Sequence, residues 1–172
     1  MSGLGLILSA GAGQMPWGQS ADPIDVSAGS VGSGDIRGAR SRVFAPSLVT
    51  NLSVIVGGAS GNIQLGIMEG NPAIDTLALV AWTPSTAAVG TNALQTIALA
   101  APFVKQPGVD YYDVWQADNG TITLYRTTGA VGTLIGKQSF LKTGVSYGLD
   151  TNATSISSLN FTNQPIPWIA WS

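Results

Sequence analysis

Short runs of alternating hydrophobic and polar residues follow one another along most of the chain, from residue 40 onward. Residues 48–56 and 63–67 alternate in this way, and the glycine-rich residues 57–61 separate them. Alternation with a period of two places one face of a strand against a core. We therefore predict that these two segments form a hairpin with one buried face.

The same pattern predicts further strands, each next to Gly, Pro or Asn residues. They fall at residues 76–82, 93–100, 109–117, 121–127, 131–135, 144–149 and 165–171. Asp118-Asn119-Gly120 is typical of a tight turn between two of them. No window carries the apolar stripe of an amphipathic helix. The prediction is an all-β fold, an antiparallel β-sandwich that is jelly-roll-like, over residues 36–172.

Residues 1–35 differ from the rest of the chain because they are rich in Gly, Ser and Ala and show no periodicity. We interpret them as an extended N-terminal arm for attachment and oligomer contacts. Its start is apolar like a signal peptide, but no Lys or Arg precedes Arg37. No apolar run reaches the ~20 residues of a membrane span. The expected contact residues of the arm are Leu4, Leu6, Ile7, Leu8, Met15 and Trp17.

Composition narrows the possible functions. The chain has no Cys and no His, which excludes disulfides, imidazole-based triads and zinc sites of the Cys/His kind. Charged residues make up 9% of the chain, against a usual share of about 25%. So little charge favours a surface covered by neighbouring subunits, although a robust extracellular β domain is the alternative. A net charge of −2 with seven cations speaks against nucleic-acid binding.

The acidic residues do not form a recognisable catalytic pair. Asp110 and Asp113 differ by an odd number along one strand and so point to opposite faces, whereas a glycosidase needs two carboxyl groups across one sugar bond. We expect no enzymatic activity, no cofactor and no metal. Asp118-Asn119-Gly120 offers oxygen ligands for calcium, but its composition is equally that of a plain turn.

Two groups of side chains are candidates for binding. Trp82, Tyr112 and Trp115 are possible glycan contacts, because aromatic rings stack on sugars; the alternative is a role in the core or in subunit contacts. Arg37, Arg40 and Arg42 lie where the arm meets the domain. They are expected to contact a partner, or else to form a solvated edge strand that discourages aggregation.

Three short motifs resemble parts of small jelly-roll modules in tailed-phage virion proteins of the head-decoration, head-fibre and tail-tip types. They are residues 61–67 (GNIQLGI), residues 107–112 (PGVDYY) and residues 166–170 (IPWIA). The resemblance covers the chain from about Arg40 to its end, and the arm has no counterpart in it. It implies a jelly-roll fold and a place on the surface of a virion, after synthesis in the host cytoplasm.

Together these observations predict a non-enzymatic virion structural protein that assembles as a homo-oligomer, with a trimer favoured. Its other expected partners are virion proteins such as a capsid or tail protein, with no membrane involved. The alternative is a carbohydrate-binding adsorption module that recognises a host glycan. A virion surface protein of this kind is compatible with both functions.

Overall fold

The computed structural model describes residues 26–71, 75–127, 139–161 and 168–172. Within them the chain forms twelve strands and one short helix, and every strand pairing is antiparallel. The strands lie in two sheets that face each other across a common core. The prediction of an all-β antiparallel sandwich is therefore confirmed.

The first sheet contains β1 (Val26–Ser30), β3 (Ser47–Gly58), β7 (Ala93–Lys105), β9 (Thr123–Thr127) and β12 (Ile169–Trp171). The second sheet contains β2 (Ile36–Ser41), β4 (Asn62–Asn71), β5 (Thr76–Trp82), β6 (Thr86–Ala87), β8 (Tyr111–Ala117), β10 (Ser139–Lys142) and β11 (Ser155–Ser157). The helix α1 is Leu149–Asn152.

Eight of these strands have the order of a jelly roll. The first sheet runs β1-β9-β3-β7 and the second runs β2-β8-β4-β5. Successive strands cross repeatedly from one sheet to the other, as the two Greek keys of a jelly roll require. The short strands β10 and β11 extend the second sheet at its two edges, and β12 pairs with the middle of β3 beside β9.

The main core lies between the two sheets and follows the alternation of the sequence. In β3, Leu52, Val54 and Val56 point inward, while Ile63 and Leu65 of β4 meet them from the second sheet. All five side chains are at most 1% exposed. Period-two alternation thus identified the inward-facing residues of these strands.

A second core covers the outer face of the second sheet. Residues 139–161 fold back over it, and Phe140, Leu149 and Ile156 pack against Tyr112 and Val114 of β8. Strand β8 is consequently buried on both faces along its whole length. A strand that is covered on both faces normally has a continuously apolar sequence. The polar residues within β8 therefore need buried hydrogen-bonding partners.

Two buried glutamines hold this covering segment in place. The amide nitrogen of Gln64 donates to the carbonyl of Thr83 at 2.9 Å, and its oxygen accepts from the backbone N–H of Leu149 at 2.7 Å. Gln116, opposite it on β8, accepts from the backbone N–H of Gly148 and donates to the carbonyl of Ser146. The pair fixes the loop that leads into α1.

Several predictions about local structure are wrong. Residues 48–56 and 63–67 do not form a hairpin, because β3 and β4 belong to different sheets and residues 57–61 cross between them. Asp118-Asn119-Gly120 is likewise a crossing, between β8 and β9, and not a hairpin turn. The predicted strand at residues 144–149 is instead an irregular segment with bends, which leads into α1 at Leu149. The structure also carries the sandwich back to Val26, so the predicted boundary at residue 36 is too late.

Candidate assembly surface

The predicted contact residues of the N-terminal arm lie outside the described residues. They are Leu4, Leu6, Ile7, Leu8, Met15 and Trp17. Their role in attachment stays a prediction.

Two of the three predicted glycan contacts are core residues. Tyr112 is 0% exposed and Trp115 is 1% exposed. Because they are an odd number of residues apart in β8, they point to opposite faces of the sheet, and each face packs against one of the two cores. Burial raises the pKa of the Tyr112 hydroxyl above its usual value. The interpretation of both as glycan contacts is therefore wrong, since neither ring reaches the surface. Trp82 alone of the three is exposed, at 36%.

Arg40 and Arg42 both bind Asp110 of their own chain. The Nε and Nη2 atoms of Arg40 donate to the two carboxylate oxygens at 3.1 and 2.5 Å, and the Nε of Arg42 donates to Oδ1. Burial raises the pKa of Asp110, but the hydrogen bonds from Arg42 and Arg40 outweigh it and hold the pKa below its usual value. The three charges fasten the turn before β8 to β2, which sequence reasoning did not foresee.

Arg37 lies further along β2, opposite Trp115. Burial and the neighbouring Arg126 lower the pKa of its guanidinium, and Asp35 acts in the opposite sense. A role in partner contacts stays a prediction for all three arginines. For Arg40 and Arg42, the structure adds an intramolecular role that accounts for their position.

A buried ion pair joins the two sheets. The Nζ atom of Lys105 in β7 lies 2.7 and 3.0 Å from the carboxylate oxygens of Asp113 in β8, and 2.9 Å from the hydroxyl of Ser41. It also lies 4.9 Å from the ring centre of Trp171. Both charged side chains are 0% exposed. Burial lowers the pKa of Lys105, and Asp113 opposes that shift. Because substrate has no access to it, this pair is structural.

Two long stretches of the chain contain no charged residue. No Asp, Glu, Lys or Arg occurs in residues 43–68 or in residues 76–104. These stretches supply every large hydrophobic side chain that is exposed among the described residues: Phe44, Leu48, Trp82, Val89, Leu94 and Val104. The large exposed apolar side chains of the described structure are therefore confined to two stretches of sequence that contain no charged residue.

Four of these side chains belong to the outer face of the first sheet or its edge. Leu48 of β3 pairs with Val104 of β7, and Ile55 pairs with Leu94. Leu48 and Leu94 are each 60% exposed and Val104 is 42% exposed, while Phe44 precedes β3 and is 79% exposed. We call the outer surface of β3 and β7, together with Phe44, the uncharged face. Pairs of apolar residues on an open sheet face are typical of a contact surface.

An apolar groove adjoins the uncharged face at the edge of the sandwich. It has a volume of about 240 Å³ and is formed by β5 and β7. Its lining residues are Val80, Ala81, Trp82, Ala100, Ala101, Pro102 and Phe103. No side chain in this lining carries a hydrogen-bonding group other than the indole N–H of Trp82.

On the other side of the molecule lies a shallow polar cleft of about 350 Å³, between residues 142–146 and residues 152–157. Lys142 is the one charged residue in its lining. Among the described residues no cluster of three or more acidic side chains could hold a metal ion. None of the described helices is long and apolar enough to cross a membrane.

No protein-family model matches the chain, and no curated protein matches it either. The uncharged face was present in the sequence as two charge-free stretches. The total charge predicts association but does not show which face takes part, because that depends on where the charge-free stretches lie in the fold.

Proposed function

We propose that this protein is a non-enzymatic structural protein that assembles as a homo-oligomer, with a trimer favoured, through the uncharged face. The observation that carries this proposal is the placement of Leu48, Leu94 and Val104, which are exposed along one sheet surface without a single charged side chain. Leu48 and Val104 lie opposite each other, and Leu94 lies towards the other end of the same pair of strands. Removing such side chains from water is the main favourable term in subunit association.

Burial of the uncharged face contributes a favourable free energy to association. Burying a whole Leu or Val side chain contributes about 1.5–3 kcal/mol. Because these side chains are roughly half exposed in one subunit, each has about 1 kcal/mol still to gain. Several such residues in each copy, repeated around a symmetric ring, add up to a substantial driving force. The polar side chains between them, such as Ser53 and Thr96, bond to each other at 2.8 Å and do not need water.

The alternative function, a carbohydrate-binding module, has less support. Sugar sites combine an aromatic platform with convergent polar groups. Trp82 is the one exposed ring of the three aromatic candidates, and the groove beside it is lined by apolar side chains. The polar cleft near Lys142 has no exposed aromatic residue in its lining. Assembly is therefore the function that the geometry favours.

The proposed setting of this assembly is the surface of a virion, in contact with a capsid or tail protein. This part of the proposal depends on the resemblance of residues 61–67 and 107–112 to phage virion modules. The jelly-roll strand order supports it, because viral capsid domains are among the proteins built on this fold. Detection of the protein in purified particles by mass spectrometry, and labelling of their surface with an antibody, would test the setting.

The oligomer is tested by light scattering after gel filtration. We expect the wild-type chain to elute as an oligomer of 17.6 kDa subunits. The double variant Leu48→Lys/Leu94→Lys places two ammonium groups on the uncharged face, where copies repel one another, and should shift the protein to a monomer. Both positions are exposed, so circular dichroism should show an unchanged fold.

Thr154→Lys is the matched control. Thr154 is exposed and belongs to the segment that covers the second sheet. The substitution therefore adds a positive charge away from the uncharged face. It should leave the oligomer intact. A wild-type protein that stays a 17.6 kDa monomer at high concentration would overturn the proposal. So would an oligomer that the double variant leaves unchanged.

A further inference from the structure

We propose that the groove between β5 and β7 receives residues 4–8 of the N-terminal segment of a neighbouring copy of this chain. The inference rests on the proposed homo-oligomer and names a contact within it.

A large bulge in β7 opens the groove. The pairing of β7 with β3 runs from Ala98 opposite Asn51 directly to Phe103 opposite Val49. Residues 99–102 therefore stand together opposite Thr50. Extra residues in one strand bend it and interrupt its ladder of hydrogen bonds. Ala100, Ala101 and Pro102 are exposed as a result and form one wall of the groove.

The lining accepts an apolar chain and little else. Small-molecule sites usually have volumes of about 300–1,000 Å³ and a few convergent polar groups. This groove, at about 240 Å³, is smaller and has apolar walls. The small side chains of Ala100 and Ala101 on one side and the Trp82 ring on the other leave space for one or two aliphatic side chains of an extended segment.

Residues 4–8 have the matching chemistry. The sequence there is LGLIL, and no charged residue occurs before Asp22. In an extended conformation, Leu4, Leu6 and Leu8 point to one side while Gly5 and Ile7 point to the other. Gly5, between Leu4 and Leu6, keeps that side of the backbone narrow. An unpaired strand edge is a ready template for such an added strand.

The position at which the segment enters the fold favours a neighbouring copy. The seventeen residues between Leu8 and Val26 can span at most about 60 Å. They end at β1, and β1 and β7 are at opposite edges of the first sheet. A head-to-tail contact in a closed ring brings opposite edges of neighbouring subunits together. The segment then reaches the neighbour's groove directly, whereas its own groove lies across the whole width of the sheet.

Disulfide trapping tests this contact, because the chain has no native cysteine. Two differently tagged copies, one with Leu6→Cys and one with Ala101→Cys, are co-expressed and mildly oxidised. We expect a disulfide between the two tagged copies, visible on a non-reducing gel and absent after reduction. The matched control replaces Ala101→Cys by Thr143→Cys and should reduce the yield of linked copies at least tenfold, because Thr143 is exposed and follows β10, on the opposite side of the second sheet from β5. Ala100→Cys serves as a second groove position.

The outcomes separate this inference from the proposed function. If one chain carrying both Leu6→Cys and Ala101→Cys closes on itself into a faster-migrating monomer, and the tagged copies do not link, the segment occupies its own groove and the neighbour assignment is wrong. If the protein is oligomeric but neither groove position links above the Thr143→Cys control, the groove assignment is wrong and the homo-oligomer stands. A monomeric protein would overturn the proposed function itself.

Discussion

Replacing Lys105 by methionine should destabilise this protein more than any surface substitution. The ammonium group is fully buried between the sheets, and it bonds to Asp113 and Ser41 while lying against the Trp171 ring. Methionine retains most of the aliphatic volume but removes the charge. The carboxylate of Asp113 is then left buried without its ionic partner.

The size of the effect follows from that burial. Removing one partner of a buried ion pair typically costs about 3–5 kcal/mol, out of the 5–15 kcal/mol that a domain of this kind usually has. Asp113→Leu should cost a similar amount, because it leaves the ammonium of Lys105 unpaired. The double variant Lys105→Met/Asp113→Leu should lie within about 1–2 kcal/mol of the wild type, since apolar replacement of a whole buried pair is often neutral.

Urea denaturation, followed by tryptophan fluorescence and circular dichroism, measures these changes in the free energy of unfolding. Arg42→Met is the comparison, because it removes a cation from an ion pair whose Arg42 side chain is 46% exposed. It should cost at most about 1 kcal/mol. If Lys105→Met costs no more than Arg42→Met, or if the double variant is as unstable as the sum of the two single ones, the buried pair does not have the role assigned to it.

Two further predictions concern polar contacts. Asp110→Asn should reduce stability at neutral pH: the folded-state pKa of Asp110 is lowered, so its contribution is present above the unfolded value of 3.8 and is lost as the pH falls through the folded value. Urea titrations should therefore show the gap to the wild type closing below pH 3.8, and a constant gap would contradict the assignment. Gln64→Leu should cost about 1–3 kcal/mol, because the buried N–H of Leu149 loses its acceptor. Amide hydrogen exchange should become faster near Leu149. Unchanged exchange there would contradict the role of Gln64 in holding the loop before α1.

The fold class followed from the sequence because alternation identifies strands and their inward faces. The pairing of β3 with β7 and β9, and not with β4, did not follow from it. A strand with one buried face carries the same pattern whether its chain neighbour lies beside it or in the opposite sheet. The second core was also hidden, since residues 139–161 show no regular period, and Gln64 and Gln116 look like surface residues until the covering segment is placed over them.

The candidate site was partly predictable. Low total charge directed attention to association, which stays a prediction. The assignment of Tyr112 and Trp115 to a surface failed because β8 is covered on both sides. Lys105 precedes a Gln-Pro-Gly turn, where a lysine is usually solvated, and its burial depends on Asp113 arriving from the other sheet. Contacts that join distant segments need the topology, and periodicity does not supply it.

The placement of charge and apolar surface argues for a partner on one side of the sandwich in particular. A jelly roll has two outer sheet faces, and residues 139–161 cover that of the second sheet with a core of their own. The outer face of the first sheet has no such cover among the described residues, and Leu48 and Leu94 stand exposed on it. The chain meanwhile keeps Lys105 and Asp113 inside, where charge is costly. A free monomer gains solubility from the opposite arrangement. Since a partner that covers β3 and β7 removes this conflict, the uncharged face is the surface on which the assembly of this protein should be tested first.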